Sequence, residues 1–392
     1  MSRVDRVAAA AKRYTDANTF AGIEWLVQRR GEDLARGQVG YADPARKKPI
    51  PKHAQYRIYS MTKPITSVMA LILIEQGKLR LYDMLPQFDK RFAQMIVLSA
   101  NGGIAPANRP ITVEDLITHR AGFTYEFIPG CQVAQYYQAA EISSDGKISL
   151  DEMMGRLAEQ PIAFQPGTQF RYSVATDVLA HVCEKATGRG IDELMKEYIF
   201  DPLGMKDTAY HVPAEKRDRL MPMFGITDIT ELAPLKPRPQ ELTPADVEEM
   251  YPSNMPGTFR RGGHGLFSTL DDYTRFARML LNGKSSDGKV ILSRKMIETM
   301  RMNRIPASQL PLTLGPQTFS GYGWGLGVRV MMDPGQALSL TGIGELGWAG
   351  AATTYFWVDP IEELTGVIMT QYLGAMLPMT DDVRVAAYQL LD

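Results

Sequence analysis

Cysteine is nearly absent. Of 392 residues only Cys131 and Cys183 carry thiols. Their spacing matches no disulfide framework and no metal motif, so the expectation is two reduced thiols in a cytoplasmic protein. Net charge is also scarce, at −1. A chain this close to neutral gives no reason to expect nucleic acid or an anionic membrane as partner. Long apolar runs are missing: the longest, residues 68–74, is far too short to span a bilayer. Residues 1–16 are charged and lack the apolar core of a secretory signal. The five histidines are His53, His119, His181, His211 and His264. None stands in a recognisable Ser-His-Asp context, and no two have H-x-x-x-H spacing, so zinc is not expected. His119 and His264 are expected to be structural. No serine sits in G-x-S-x-G, which excludes the nucleophile elbow of α/β-hydrolases.

What is present is ordinary in bulk and specific in detail. Apolar residues make up 45% and charged residues 22%, as in globular proteins at large. The length fits two domains, or one large domain with an insertion. The 34 glycines and 25 prolines predict many turns.

The stretch with chemical content is Ser60-Met61-Thr62-Lys63, which reads S-x-x-K and opens the apolar run. On a helix, residues three apart share a face. A serine hydroxyl is a weak nucleophile until a neighbour takes its proton, and a lysine one turn away is placed to do so. Taken alone, the same four residues also fit a helix N-cap followed by a solvated lysine. Lys63 needs a partner, and a tyrosine beside a cation can serve as one. The candidate is Tyr172 in Phe170-Arg171-Tyr172-Ser173-Val174, which follows the turn Gln165-Pro166-Gly167-Thr168 and precedes a helix. A third segment, Gly347-Trp348-Ala349-Gly350-Ala351-Ala352, leads a strand-like run. Its small residues allow the close backbone approach that an oxyanion-hole donor requires.

Together these pieces resemble the serine β-lactamase and penicillin-binding-protein superfamily, and most nearly its esterase branch, the family VIII carboxylesterases, which are similar to class C β-lactamases. Tyr56 to Pro64 looks like that family's first motif. Leu116-Ile117-Thr118-His119-Arg120-Ala121-Gly122-Phe123 is similar to its LLTHTSGL stretch, and Phe164-Gln165-Pro166-Gly167 with Tyr172-Ser173 resembles its tyrosine motif. Gly262 to Thr269 and Tyr322-Gly323-Trp324-Gly325 look like further landmarks in the right order. The resemblance implies Ser60 as nucleophile, Lys63 and Tyr172 as its activators, and the N–H groups of Ser60 and Ala351 as oxyanion hole. It implies no metal or cofactor.

Two departures bear on the substrate. Where β-lactamases carry Lys-Thr-Gly, the matching residues are Trp348-Ala349-Gly350, so the cation that binds the drug's carboxylate is gone. Where they carry Tyr-x-Asn, the third residue is Val174. An indole in place of an ammonium is expected to make the entrance apolar and to favour neutral acyl groups. Trp348, Gly350, Tyr125 and Phe127 are the expected substrate-binding residues, with Tyr136 a further candidate wall. The expected activity is hydrolysis of small carboxylic esters, with weak β-lactam cleavage as a side reaction. The alternatives are an acyltransferase resembling the statin side-chain enzyme, a β-lactamase or D-alanyl-D-alanine peptidase, and a binding protein without catalysis. Residues 141–152 partly match a calcium loop, but Glu141 and Ser143 stand at ligand positions that require other residues, so a polar turn between helices is expected.

The element pattern predicts an α+β, β-lactamase-like fold: an antiparallel sheet built from both chain ends and flanked by helices, with a mostly helical insertion. The expected division is 1–80, 81–262 and 263–392, the first and last parts forming one α/β domain. Helices are expected at 4–16, from Ser60 onward, at 112–118 behind a Thr112 capping box, at 150–159, 175–187 and 269–281, and from 381. Strands are expected at 20–28, 38–41, 322–332, 337–341, 351–358 and 364–372. Residues 211–263 read as a long irregular connection.

Overall fold

Alternating apolar residues at the two chain ends build one sheet. We describe a computed structural model covering residues 3–99, 101–227, 241–254, 259–315, 317–375 and 377–391. The first helix, α1 (Arg3–Asp16), leads into the hairpin β1 (Gly22–Arg29) and β2 (Glu32–Gly40). The hairpin closes through Arg30 and Gly31, both at positive φ, which is the two-residue turn that suits strand twist. The strand read from 38–41 therefore begins six residues earlier.

After a 3-10 turn at Tyr59–Met61 comes α2 (Thr62–Glu75), whose residues Thr62 to Leu73 are all buried. Short α3 (Val113–Ile117) carries the capping box expected of Thr112 and Asp115. Next come α4 (Leu150–Ala158), capped by Ser149, and α5 (Ala175–Thr187), closed by Gly188 in the left-handed region as expected. Helix α6 (Leu270–Asn282) starts at a Thr269 cap.

The C-terminal third supplies five strands: β3 (Tyr322–Trp324), β4 (Arg329–Met331), β5 (Leu346–Ala349), β6 (Tyr355–Asp359) and β7 (Leu364–Met369). It ends in α7 (Met379–Tyr388). The sheet runs β3-β4-β5-β6-β7-β1-β2, antiparallel throughout, so β7 pairs with β1 and joins the two chain ends. Period-two burial explains its two covers. Ile23, Trp25 and Val27 of β1, with Trp357 and Ile368, face α1 and α7. Leu26, Phe356, Val358 and Val367 face the other side, where α6 and the helical part pack.

Several expectations need correcting. Residues 322–332 form two strands around a turn, because Gly325 and Gly327 break the run. Residues 337–341 are not a strand. Asp333 caps a short helix, Pro334–Ala337, and Leu338 sits at positive φ. The strand placed at 351–358 starts at Tyr355, and the preceding strand β5 was missed because Gly347 and Ala349 hide its alternation. The segment 211–263 is less irregular than its prolines suggest: it holds a 3-10 helix at Ala214–Arg219 and the strands Met223–Gly225 and Pro244–Ala245. The first of these strands pairs parallel with Tyr372–Leu373. Residues 228–240 and 255–258 of that segment lie outside the described residues.

Candidate active site

The chain approaches Ser60 along a fixed backbone. Tyr56 and Arg57 pair with Ser268 and Phe267, and the Ile58 N–H donates to the Leu266 carbonyl at 3.1 Å. The buried Arg57 side chain donates to the Tyr251 carbonyl and to Glu248. Tyr59 then adopts φ of 42°, a left-handed conformation that costs energy for a residue with a side chain. This bend sets Ser60 in a 3-10 turn just before α2, not in the helix itself. The turn is held at its far side, where the Tyr273 hydroxyl donates to the Met61 carbonyl at 2.8 Å.

Lys63 lies one turn on, 1% exposed, so it is no solvated first-turn residue. Its Nζ donates to the Gly263 carbonyl at 2.8 Å and stands 3.1 Å from Ser60 Oγ. It lies 4.6 Å from the centre of the Tyr172 ring and 5.3 Å from that of Tyr125. Burial drives the Lys63 amine down to about 7, against a smaller upward pull from Asp177.

Tyr172 comes from the loop before α5. The Arg171 N–H donates to the His119 carbonyl at 2.9 Å, and the His119 ring packs 4.8 Å from the Tyr172 ring. Burial, and then the charge of Lys63, hold His119 well below its ordinary value, so it stands as a neutral packing group. The Tyr172 hydroxyl is hydrogen-bonded to Ser60 and accepts from Trp348 Nε1 at 3.0 Å. Burial nonetheless pushes the phenol above its ordinary value, and the bonds from Ser60 and Trp348 only partly offset this. At neutral pH the phenol keeps its proton, whereas Lys63 is in part the neutral amine.

Trp348 is not the apolar entrance expected from sequence. It lies on β5, an interior strand, is 7% exposed, and spends its only N–H on Tyr172. Nor does Gly350 make room for a ligand. A Cβ there would run into the Ile58 carbonyl and Thr354, so glycine lets the end of β5 close onto the chain leading to Ser60. Its own N–H donates to the Thr354 carbonyl at 2.8 Å. The neighbouring Ala351 N–H and the Ser60 N–H have no acceptor among the described residues, which leaves both able to receive an oxyanion.

Ser60 and Tyr172 open into a cavity of about 330 Å³. Tyr125 and Phe127 line it, their rings stacked 4.8 Å apart. Tyr136 does not: it is half exposed, while its neighbour Tyr137 is buried. Sequence reasoning missed three other walls, Tyr59, Tyr251 and the Asp145–His264 pair. Asp145 Oδ2 lies 2.6 Å from His264 Nε2, and Oδ1 accepts from Arg261 at 2.9 Å. Burial raises this carboxyl, but His264 and Arg261 outweigh it and bring it below its ordinary value. The segment that resembled a calcium loop is thus the expected polar turn, with Asp145 committed to Arg261 and His264. Among the described residues no cluster of three or more metal-ligating side chains occurs. A larger groove of about 630 Å³ runs past Phe200, Met205 and Tyr210. Its charges largely pair with one another, Lys196 with Asp201 and Lys216 with Asp207.

The profile of the Beta-lactamase family matches residues 7–390. The chain belongs to that family. Its resemblance to Esterase EstB of Burkholderia gladioli is 29% identity over 406 residues, covering 99% of this chain and 95% of the other. Protein Rv1367c of Mycobacterium tuberculosis (strain ATCC 25618 / H37Rv) is 31% identical over 377 residues, covering 94% and 90%. Among solved structures, EstCE1, described as a hydrolase with promiscuous acyltransferase activity, superposes with a TM-score of 0.83 at 24% identity, covering 98% of both chains. The β-lactamase-like α+β fold expected from the motifs is therefore borne out. Among the described residues no helix is long and apolar enough to cross a membrane.

Proposed function

We propose that this protein is a serine carboxylesterase that cleaves small carboxylic esters through an acyl-enzyme on Ser60. The carrying observation is the buried Lys63 Nζ, 3.1 Å from Ser60 Oγ and brought down to about 7. Lys63, as the neutral amine, takes the Ser60 proton while Oγ attacks the ester carbonyl. The oxyanion settles against the N–H groups of Ser60 and Ala351, a donor pair of which each member is worth about 2.7–4 kcal/mol. Tyr172 gives its proton to the departing alkoxide, and Lys63 then returns the serine proton to Tyr172. Water enters, loses a proton to the same pair and releases the acid, and Ser60 regains its hydrogen.

Cavity size and charge support a small neutral ester. At about 330 Å³ the cavity sits at the lower end of ligand pockets. The lysine on its wall is engaged, Lys147 with Glu249 at 2.6 Å, and the His264 ring is held by Asp145, so among the described lining residues a β-lactam carboxylate meets no free lysine or arginine. The free thiols of Cys131 and Cys183 support a cytoplasmic setting. The testing experiment compares p-nitrophenyl butyrate with nitrocefin. Ester turnover far above nitrocefin cleavage is the expected result. Dominant nitrocefin cleavage, or no cleavage of either, overturns the reading.

The pH profile follows from Lys63. A protonated amine cannot accept the serine proton, so kcat/KM for p-nitrophenyl butyrate should climb as pH rises through about 7 and fall tenfold per unit below it. A rate that stays flat from pH 5 to 9 would remove Lys63 as the base.

A further inference from the structure

Asp177 is fully buried in the first turn of α5, five residues beyond Tyr172. Its Oδ1 accepts from the Gly263 N–H at 2.9 Å, and the carbonyl of the same glycine receives Lys63 at 2.8 Å. One residue thus carries a carboxylate on its amide side and the catalytic amine on its carbonyl side. The second carboxylate oxygen, Oδ2, has no hydrogen-bond partner among the described residues although it is buried. An orphaned buried oxygen is costly and calls for a reason. The reason lies at Gly263. A Cβ built on it would sit 2.7 Å from Asp177 Oδ2, 3.1 Å from the Tyr125 hydroxyl and 3.2 Å from Lys63 Nζ. The absent side chain leaves a hollow on which a carboxylate, a phenol and the amine converge.

We propose that Asp177 is a positioning residue that holds Lys63 toward Ser60 through the Gly263 backbone and balances the charge Lys63 acquires when it takes the serine proton. The proposal rests on the Ser60 acyl-enzyme reading. Around Lys63 stand Ser60, Tyr125 from the loop after α3, Tyr172 from the loop before α5, and His119, whose neutral ring offers no charge. Among the described residues Asp177 supplies the carboxylate acting on Lys63, and its influence there is upward. Gly263 is required to be small by the hollow itself and not by its backbone conformation, since its φ lies outside the left-handed region.

The test is the rate at which a fluorophosphonate labels Ser60, measured against pH in wild type, Asp177→Asn and Gly263→Ala. Asparagine keeps the acceptor for the Gly263 N–H and removes the charge. The expected result is an acid limb moved about one unit to lower pH with a plateau lowered roughly tenfold, because a less basic amine is a poorer proton acceptor. A purely structural Asp177 would leave the limb where it is. Gly263→Ala, which puts a methyl group between the three polar atoms, should also slow labelling roughly tenfold, and it answers the question if Asp177→Asn fails to fold. Wild-type limbs and rates in the folded variants overturn the inference and leave the Ser60 reading intact. Absence of labelling in wild type at every pH overturns the Ser60 reading itself.

Discussion

Ser60→Ala should leave a folded protein whose kcat for p-nitrophenyl butyrate is lower by at least about 10⁴-fold. The change removes one oxygen from a partly buried position, whose hydrogen-bond partners among the described residues are Lys63 and Tyr172. The fold around it does not depend on the hydroxyl. The Ile58 and Met61 backbone bonds and the whole buried face of α2 remain. Activity must therefore fall without a matching loss of thermal stability, which calorimetry on the same sample checks. What survives is binding and the oxyanion donors acting on water. If the variant keeps most of its turnover, hydrolysis runs elsewhere in the chain.

Much of this site was legible because its first parts are close in sequence. Ser60 and Lys63 lie three residues apart, and helical spacing alone brings them together. Tyr172 came into view through a turn followed by a helix start, and the sheet formed by both chain ends through alternating runs. What stayed hidden depends on distant segments. Asp177 meets Gly263 across 86 residues, and His264 meets Asp145 across 119. Neither pairing leaves a periodic trace. Trp348 was found as a residue but misplaced in role. Its position beside the tyrosine motif follows from β5 lying third in the sheet, a fact of pairing that no local pattern contains. Two-residue strands such as Tyr56–Arg57 are too short for alternation to show, yet this one fixes the approach to Ser60.

The missing lysine has a consequence beyond specificity. A cation at position 348 would lie against the Tyr172 hydroxyl and favour phenolate. The indole that stands there donates one neutral hydrogen bond instead, and burial keeps the phenol protonated. The division of labour we propose follows: Lys63 as the acceptor in the resting site, and Tyr172 as the donor to the leaving group.

That division fixes the expected outcome for Tyr172→Phe. The ring keeps its packing against His119, Trp324 and Trp348, so the fold should survive, apart from the Trp348 N–H left without its acceptor. Such an orphaned donor costs about 1–3 kcal/mol of stability. The lost phenol removes proton delivery to the alkoxide, an effect of about 10²–10⁴-fold on kcat. The loss should depend on the leaving group. An ethyl ester, whose alkoxide needs a proton, should suffer far more than a p-nitrophenyl ester, whose phenolate leaves without one. The pH at which the acid limb falls should stay near that of wild type, since Lys63 sets it. Equal losses on both esters would assign Tyr172 to activating Ser60, and an unchanged kcat on the ethyl ester would remove it from the mechanism.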